Sequence, residues 1–526
     1  MNAAFESTRT RRRLGCGALA LAAPFAIVAT LAGCTVGPDF KSPDKPTVDG
    51  YTPENLVPRT SSAAVHGGEA QSLMLGADVP GRWWQLYRSS ELDSLVDQAL
   101  RANPDLDAAQ AALRQAREQL YAQQGALFPT FSGNASGTQQ LQSGNQFGQP
   151  SFTSQFGVVS ASLSVAYAPD LWGGVRRQVE SQAALADYQR FQLEAAYLTL
   201  TANVVVAAVN LASLRDQIAA TEVIIRLQAD ALRLVQEQFN MGGASRADVL
   251  AQQATLAQTQ ATLPPLQKQL AQQRNQLMRY LGRPPTDDAG QGLHLATLQL
   301  LKNLPLSLPS QLVEQRPDVR SSEAQLHSAS ANIGVATAAQ LPQFNITGQL
   351  GSSALGLASM FGPGTAFWSL GASAAQTLID GGQLEHKKRA TVAAFDQAAA
   401  SYRGVVLSAF QDVANALRAL QSDAEALSTA VTAEQDAQQS LDLSRQQYEA
   451  GSISYLTLLN AQQTYENALI NRVKAQAARF SDTAALFEAL GGGWWNRADV
   501  DPKSLGKPDV FWLPPLQDVH LPRAGR

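Results

Sequence analysis

The sequence predicts an α+β membrane protein: a β-barrel shared between chains, continued by a long tube of coiled-coil helical hairpins. Three observations predict it. A secretory leader ends in a cysteine, two long proline-free helical stretches carry the same landmarks, and four short segments alternate apolar with small polar residues.

The leader comes first. Arg9, Arg11, Arg12 and Arg13 precede an apolar run from Leu14 to Ala32, which closes on Leu31-Ala32-Gly33-Cys34. A basic head, an apolar middle and small residues before a cut mark a bacterial secretory signal. The ending resembles a lipobox, which implies cleavage before Cys34 and acylation of that residue. An uncleaved anchor, or a plain signal with a chance cysteine, fits the same letters. Several acyl chains together anchor stably, where a single chain does not. Residue 35 is Thr rather than Asp, which by the same resemblance permits transfer to the outer membrane. Of the 2 cysteines, Cys16 leaves with the leader, so no disulfide framework is available. Stability must then come from packing or oligomerisation.

The remainder is a duplicated unit. QFNMGGASRADVLAQQA from Gln238 aligns without a gap on QYEAGSISYLTLLNAQQ from Gln447, and Leu281-Gly282 on Leu490-Gly491. Upstream, NPDL from Asn103 matches RPDV from Arg316, and Gly173-Gly174 matches Gly381-Gly382. A period this long is a whole structural unit used twice rather than a solenoid repeat. The expected organisation is a leader over 1–33, a lipidated extended segment over 34–88, repeats over 89–300 and 301–493, and a proline-rich tail over 494–526.

Each repeat reads helix, strands, long helix, returning helix. The first helix is expected as one piece, from Ser89 or Ser90 towards Gln124 and again from about Ser310 to Gln340, stopped by Pro129 and Pro342. Strict alternation spans Val158 to Tyr167; weaker alternation spans Thr130 to Gln140, Phe344 to Leu350 and Phe367 to Thr377. Those segments make four strands in the chain. Gly174 to Asn240 then holds no proline and is about 100 Å long as a helix; Arg389 to Glu449 repeats it. Leu211, Ile218, Ile225, Leu232 and Phe239 recur as a heptad, and their partners are Leu420, Leu427, Glu434, Leu441 and Tyr448. A heptad keeps one seam facing a partner over great length. Gly242-Gly243 and Gly451-Ser452 interrupt the helix, and Ser245 and Ser454 are placed to cap its return.

A hairpin of that length cannot bury its faces in a globular core and must pack beside copies of itself. Strands with one apolar and one small polar face suit lipid outside and water inside. A half-buried soluble sheet alternates in the same way; the lipoprotein-type leader decides for the membrane. Four strands cannot close, since barrels need at least about 8, and open edges in a bilayer leave backbone groups unsatisfied. More than one chain must share the barrel.

The residues GCTVGPDF from Gly33, WWQLY from Trp83, LDSLVDQALRANPDL from Leu92, EQRPDV from Glu314 and AGSISYLTLLNAQQTY from Ala450 resemble the outer-membrane factor family of TolC-like and OprM-like channels, in particular its lipidated efflux branch. The resemblance implies a homotrimer with a 12-stranded outer-membrane barrel and a periplasmic helical barrel. It also implies docking to a periplasmic adaptor and an inner-membrane transporter. The hairpin tips that would meet the adaptor are Gly242, Arg246 and Asp248 in the first repeat and Gly451, Ser454 and Tyr455 in the second. The periplasmic gate falls on Tyr448, Leu456 and Asn460. Relatives commonly carry Asp at the last of these, so a charged ring at the gate is not expected here.

Other classes fare poorly. The net charge is −4, the 5 histidines are scattered and charged residues make up only 16%, which argues against nucleic acid and a histidine metal site. No phosphate-binding glycine loop, Gly-x-Ser-x-Gly elbow or His-Glu-x-x-His motif occurs. Asp170 and Asp380 sit at strand-to-helix turns and read as turn formers rather than catalytic acids. No enzyme and no cofactor beyond lipid on Cys34 is expected. The expected function is a gated outer-membrane channel exporting drugs or other small solutes in a three-part efflux system. A channel for type I protein secretion is the nearer alternative, and a structural coiled-coil lipoprotein the farther one.

Overall fold

A computed structural model describes residues 35–48, 50–54, 57–143 and 153–498. The leader, the acylation candidate Cys34 and residues 499–526 lie outside them. Among the described residues the chain runs β1 (Ser72–Leu75), α1 (Ser90–Ala102), α2 (Pro104–Gly125), β2 (Thr130–Ser143), β3 (Thr153–Tyr167), α3 (Gly174–Asn240), α4 (Arg246–Tyr280), β4 (Asn303–Leu306), α5 (Pro309–Gln315), α6 (Pro317–Ala338), β5 (Gln343–Ala354), β6 (Ala366–Ala375), α7 (Gln383–Glu449) and α8 (Tyr455–Ala489).

The duplication is visible in element lengths: α3 and α7 each span 67 residues, and α4 and α8 each span 35. The strands form one antiparallel sheet in the order β2-β3-β5-β6. Its central pair, β3 with β5, joins the two repeats, with Leu163 opposite Leu350. The outer edges of β2 and β6 are unpaired among the described residues.

Two expectations of the local structure are corrected. The first helix of each repeat is two helices. Asn103 is extended, with ψ 120°, and its side chain accepts from the amides of Asp105 and Leu106. In the second repeat Arg316 occupies the break with ψ 125°. Pro104 and Pro317 begin the next helix, and a residue before proline is pushed out of helical geometry. The chain also holds more than four strands: β1 pairs with β4 in a short parallel sheet apart from the main one.

A third correction concerns the seam. Leu420, Leu427, Leu441 and Tyr448 are buried along α7, and Glu434 is carried by an ion pair to Arg472 at 2.9 Å. On α3 the buried line is instead Gln217, Thr221, Ile224, Gln228 and Val235. Of the expected α3 heptad only Leu211 is buried; Ile218, Ile225 and Leu232 are half-buried and Phe239 is 41% exposed. Tipward of residue 217, within one chain, α3 therefore turns a polar-rich stripe to its neighbours and leaves an apolar one partly open.

The main core sits where the helices meet the β1–β4 pair. Trp83, Trp84 and Tyr87 of the turn Trp83–Tyr87 are buried there; Trp83 stacks on Phe487 at 5.2 Å, and the Tyr87 hydroxyl donates to the Phe480 carbonyl. Trp494, at the expected start of the tail, is also buried and donates to the Gln315 carbonyl.

The N-terminal segment is a strap along this body. The Val36 amide donates to the Trp172 carbonyl, Arg177 pairs with Asp39, and Phe40 stacks on His327. Further along, the Tyr51 hydroxyl donates to the Ser307 carbonyl and Arg479 donates to the Glu69 carbonyl. A Cβ on Gly173 would lie 2.5 Å from the Thr35 methyl, so glycine there is what lets the strap begin against the strand-to-helix turn.

Candidate functional site

The sheet sorts its residues by face across all four strands. One face carries Phe131, Leu163, Ile346, Leu350, Trp368 and Leu370, each more than 40% exposed, with Val159, Val165 and Tyr167. The opposite face is mostly polar, with Ser132, Asn134, Ser136, Ser160, Ser162, Ser164, Asn345, Thr347, Gln349, Ser369 and Ser373, and it also carries Phe156, Val158 and Phe367. Hydrogen bonds tie that polar face together, from Ser136 to Ser160 at 2.8 Å and from Gln349 to Ser162 at 3.0 Å. No Asp, Glu, Lys, Arg or His lies on any of these strands. An apolar outer face and a polar inner one are what a membrane barrel with an aqueous lumen requires.

Directly below the sheet, Asp170 accepts from the amides of Val175 and Arg176, and Asp380 from those of Gly382 and Leu384. These carboxylates begin the long helices and satisfy amides that a helix start leaves free. They are structural acids, as their place at the turns suggested.

The far ends of the hairpins hold the expected tip residues. Gly242 and Gly451 both adopt left-handed geometry, with φ 81° and 70°, which lets each chain reverse at no steric cost. Ser245 and Asp248 form a reciprocal cap on α4, and the Ser454 hydroxyl accepts from the Thr457 amide on α8. Gly242, Arg246, Gly451 and Ser454 are exposed, and Asp248 is half-buried. Tyr455 is buried and inside the tip rather than on it.

The gate candidates separate in the same way. Tyr448 is buried and meets Tyr455 edge to face, with ring centroids 5.6 Å apart. They pack with Val235, Leu441, Leu458 and Leu459 in a small second core. Leu456 is 63% exposed and Asn460 is exposed, one turn apart on α8. Leu456 and Asn460 are therefore free to meet an axis or a neighbour, whereas Tyr448 fixes the hairpin that carries them.

A polar network between the hairpins was not anticipated. The Tyr455 hydroxyl donates to Gln252 Oε1, Gln252 Nε2 donates to the Gln228 carbonyl at 2.9 Å, and Gln228 Nε2 donates to Glu466. The Thr259 hydroxyl donates to the other Glu466 oxygen at 3.4 Å. Burial raises the Glu466 carboxyl above its ordinary range, against the lowering effect of those two neutral donors. The spacing of Gln252, Thr255 and Thr259 along α4, and of Tyr455, Gln462 and Glu466 along α8, was the available signal: it puts each set on one helix face.

Comparison with known proteins places these features in context. Residues 95–283 and 308–492 match the family model of outer membrane efflux proteins. The pyoverdine export outer membrane protein OpmQ of Pseudomonas aeruginosa is 30% identical over 430 residues, covering 78% of this chain and 87% of that protein. The solvent efflux pump outer membrane protein SrpC of Pseudomonas putida is 27% identical, covering 90% of this chain and 98% of that one. Among solved structures, the outer-membrane channel OprN superposes with a TM-score of 0.79 at 27% identity, covering 88% of this chain and all of that one.

Proposed function

The chain belongs to the outer membrane efflux protein family, and on that premise we propose how its parts make a gated export tube. It is an outer-membrane channel of the kind used by efflux pumps, and the reading goes on from there to assembly, anchor and gate. Three copies would close one barrel, since four strands with free edges on β2 and β6 cannot close alone. The partly open line of Ile218, Ile225, Leu232 and Phe239 would then face the next chain in the helical tube. Cys34 would be acylated; Thr35 already lies against Gly173, just past the end of β3, where a bilayer surface would be. The tips around Gly242, Arg246, Asp248, Gly451 and Ser454 would meet a periplasmic adaptor and through it an inner-membrane transporter. Leu456 and Asn460 would ring the narrow end.

The observation that carries the reading is the division of the sheet into one apolar and one uncharged polar face. It supports passive conduction of small solutes, and relatives named for pyoverdine export and solvent efflux favour that cargo over protein. Purified protein in a planar bilayer should give discrete conductance, and native mass spectrometry of the detergent-extracted protein should find three copies. A strain lacking the gene should retain more drug or solute while its protein secretion is unaltered. A stable monomer with full strand content would sink the shared barrel.

A further inference from the structure

We propose that Glu466 is a positioning residue of the periplasmic end, a clasp that holds the returning helix of the second hairpin against the first hairpin. The proposal rests on the reading that the tube closes at its tips, and it adds the residue that sets how firmly they close.

The geometry is specific. Glu466 stands on α8 and takes one hydrogen bond from Gln228 on α3 and another from Thr259 on α4. It thus touches both limbs of the other hairpin. About three turns tipward on the same helix, Tyr455 reaches Gln252, which itself holds the α3 backbone at Gln228. Gln228 and Gln252 are among the most buried polar side chains of the chain, at 1% and 0% exposure. Gln228 Oε1 and the nearby Gln462 Oε1 have no hydrogen-bond partner among the described residues. A buried network with spare acceptors is poised to gain from an added donor.

The segment held by the clasp can move. Pro264 and Pro265 lie inside α4, where two missing amides weaken the helix and permit a bend. In the repeat alignment these positions are Val473 and Lys474, and Glu466 itself aligns with Ala257. Hinge and clasp therefore belong to opposite hairpins: the first can bend, and the second holds it. Gln252, Thr255 and Thr259 all lie on the tip side of the prolines, so the bending segment is the one the network grips.

The sign of a proton's effect follows. No charged group bears on Glu466; the causes acting on it are burial, Gln228 of α3 and Thr259 of α4. Glu434 and Asp442 of α7, with Arg445 and Arg472, bear on neighbouring Tyr465 instead. A buried carboxyl raised in the closed arrangement binds its proton more tightly there than when solvated. The closed clasp is therefore favoured as pH falls through the raised value and loosened as pH rises above it. Protonated Glu466 also becomes a donor, able to serve an acceptor such as Gln462 Oε1.

The test uses the mature protein in its native assembly, with two readouts. Hydrogen exchange, corrected for the intrinsic pH effect, reports protection of residues 246–263 and 455–466; bilayer conductance reports the pore. In the wild type, protection should fall as pH rises through the raised value and the carboxyl ionises, while conductance rises. Glu466→Gln, neutral at all pH, should hold high protection and low conductance throughout. Thr259→Val, which keeps the volume but removes a donor, should lower protection at about pH 7.5. If Glu466→Gln keeps the wild-type pH dependence of protection, the clasp is wrong, whatever Leu456→Ala does to conductance. If protection follows the prediction but conductance does not, the clasp stands and the constriction lies elsewhere than the tips.

Discussion

Tyr448 and Tyr455 face each other edge to face across the second hairpin turn, at 63° between ring planes. That contact makes the turn a small rigid core, and it projects Leu456, the next residue of α8, away from that core. Leu456 is the apolar side chain at this tip with nothing in its own chain to cover it well, at 63% exposure. An apolar ring at a pore constriction resists wetting. Leu456→Ala should therefore raise single-channel conductance, on the order of several-fold for a dewetting gate, with the assembly intact. Tyr448→Phe should add to it only modestly, because the ring packing survives. Unchanged conductance in Leu456→Ala and in the double variant would place the constriction at another level of the tube.

Asn460 follows one turn later on the same exposed face. Its side chain hydrogen-bonds but carries no charge. The strands carry none either, so the barrel contributes no fixed charge to selectivity. Asn460→Asp should increase preference for cations, measured as a shift of reversal potential in a salt gradient, and the shift should shrink as ionic strength rises. No shift would mean that residue 460 does not line the narrow path.

Much of this arrangement could be read from the letters, and the misses have physical causes. The bounds of α3 follow from Gly173-Gly174 and Gly242-Gly243 around a proline-free run, because helix ends are written in turn chemistry. The four membrane strands follow from alternation, since a two-faced sheet needs it. β1 and β4 are four residues each, one containing Pro305, too short to show a period. The break at Asn103 was legible as a capping residue before proline, yet the apolar rhythm continues across it. The Gln228, Gln252 and Glu466 network was hidden for a different reason. A heptad seam is written in leucine, and the tipward part of α3 buries Gln217, Thr221 and Gln228 at its inner positions instead. Tyr455, which the family resemblance placed at the adaptor-facing tip, is buried within its own chain; which side of a turn faces out is decided by packing, which no spacing shows.

The strap bears on the anchor. Its described portion begins at Thr35 against Gly173 and continues through Arg177 and Asp39, paired at 2.6 Å. Mass spectrometry of the mature N-terminus should find acyl chains on Cys34. Cys34→Ser should weaken membrane retention without dissolving the assembly, because the barrel itself spans the bilayer. An unmodified thiol, or cleavage at another residue, would refute the lipobox reading.

The strap's other end meets a charge cluster built on the buried Arg479, and there pH should act on stability. Arg479 is 1% exposed and donates to the Glu69 carbonyl at 2.9 Å; its Nε and Nη1 have no hydrogen-bond partner among the described residues. Beside it burial and the Asp423 carboxyl push Asp482 up to about 7, with Arg479 opposing. Asp482 in turn acts on the fully buried Tyr87 hydroxyl, raising it further. A carboxyl raised on folding is held protonated in the native state over a range where the unfolded chain has lost its proton. Its contribution is intact below the ordinary Asp value of about 3.9 and is lost as pH rises towards about 7. Stability from this site should therefore decline between about pH 4 and pH 7, by on the order of 1–2 kcal/mol once solvent screening is allowed for. Asp482→Asn keeps the shape and removes the ionisation, so its thermal unfolding should be flatter over that range and its midpoint higher than the wild type's at about pH 8. A variant that melts lower at that pH would show instead that Arg479 depends on the Asp482 charge, and that the cluster is held by ion pairing rather than by a shared proton.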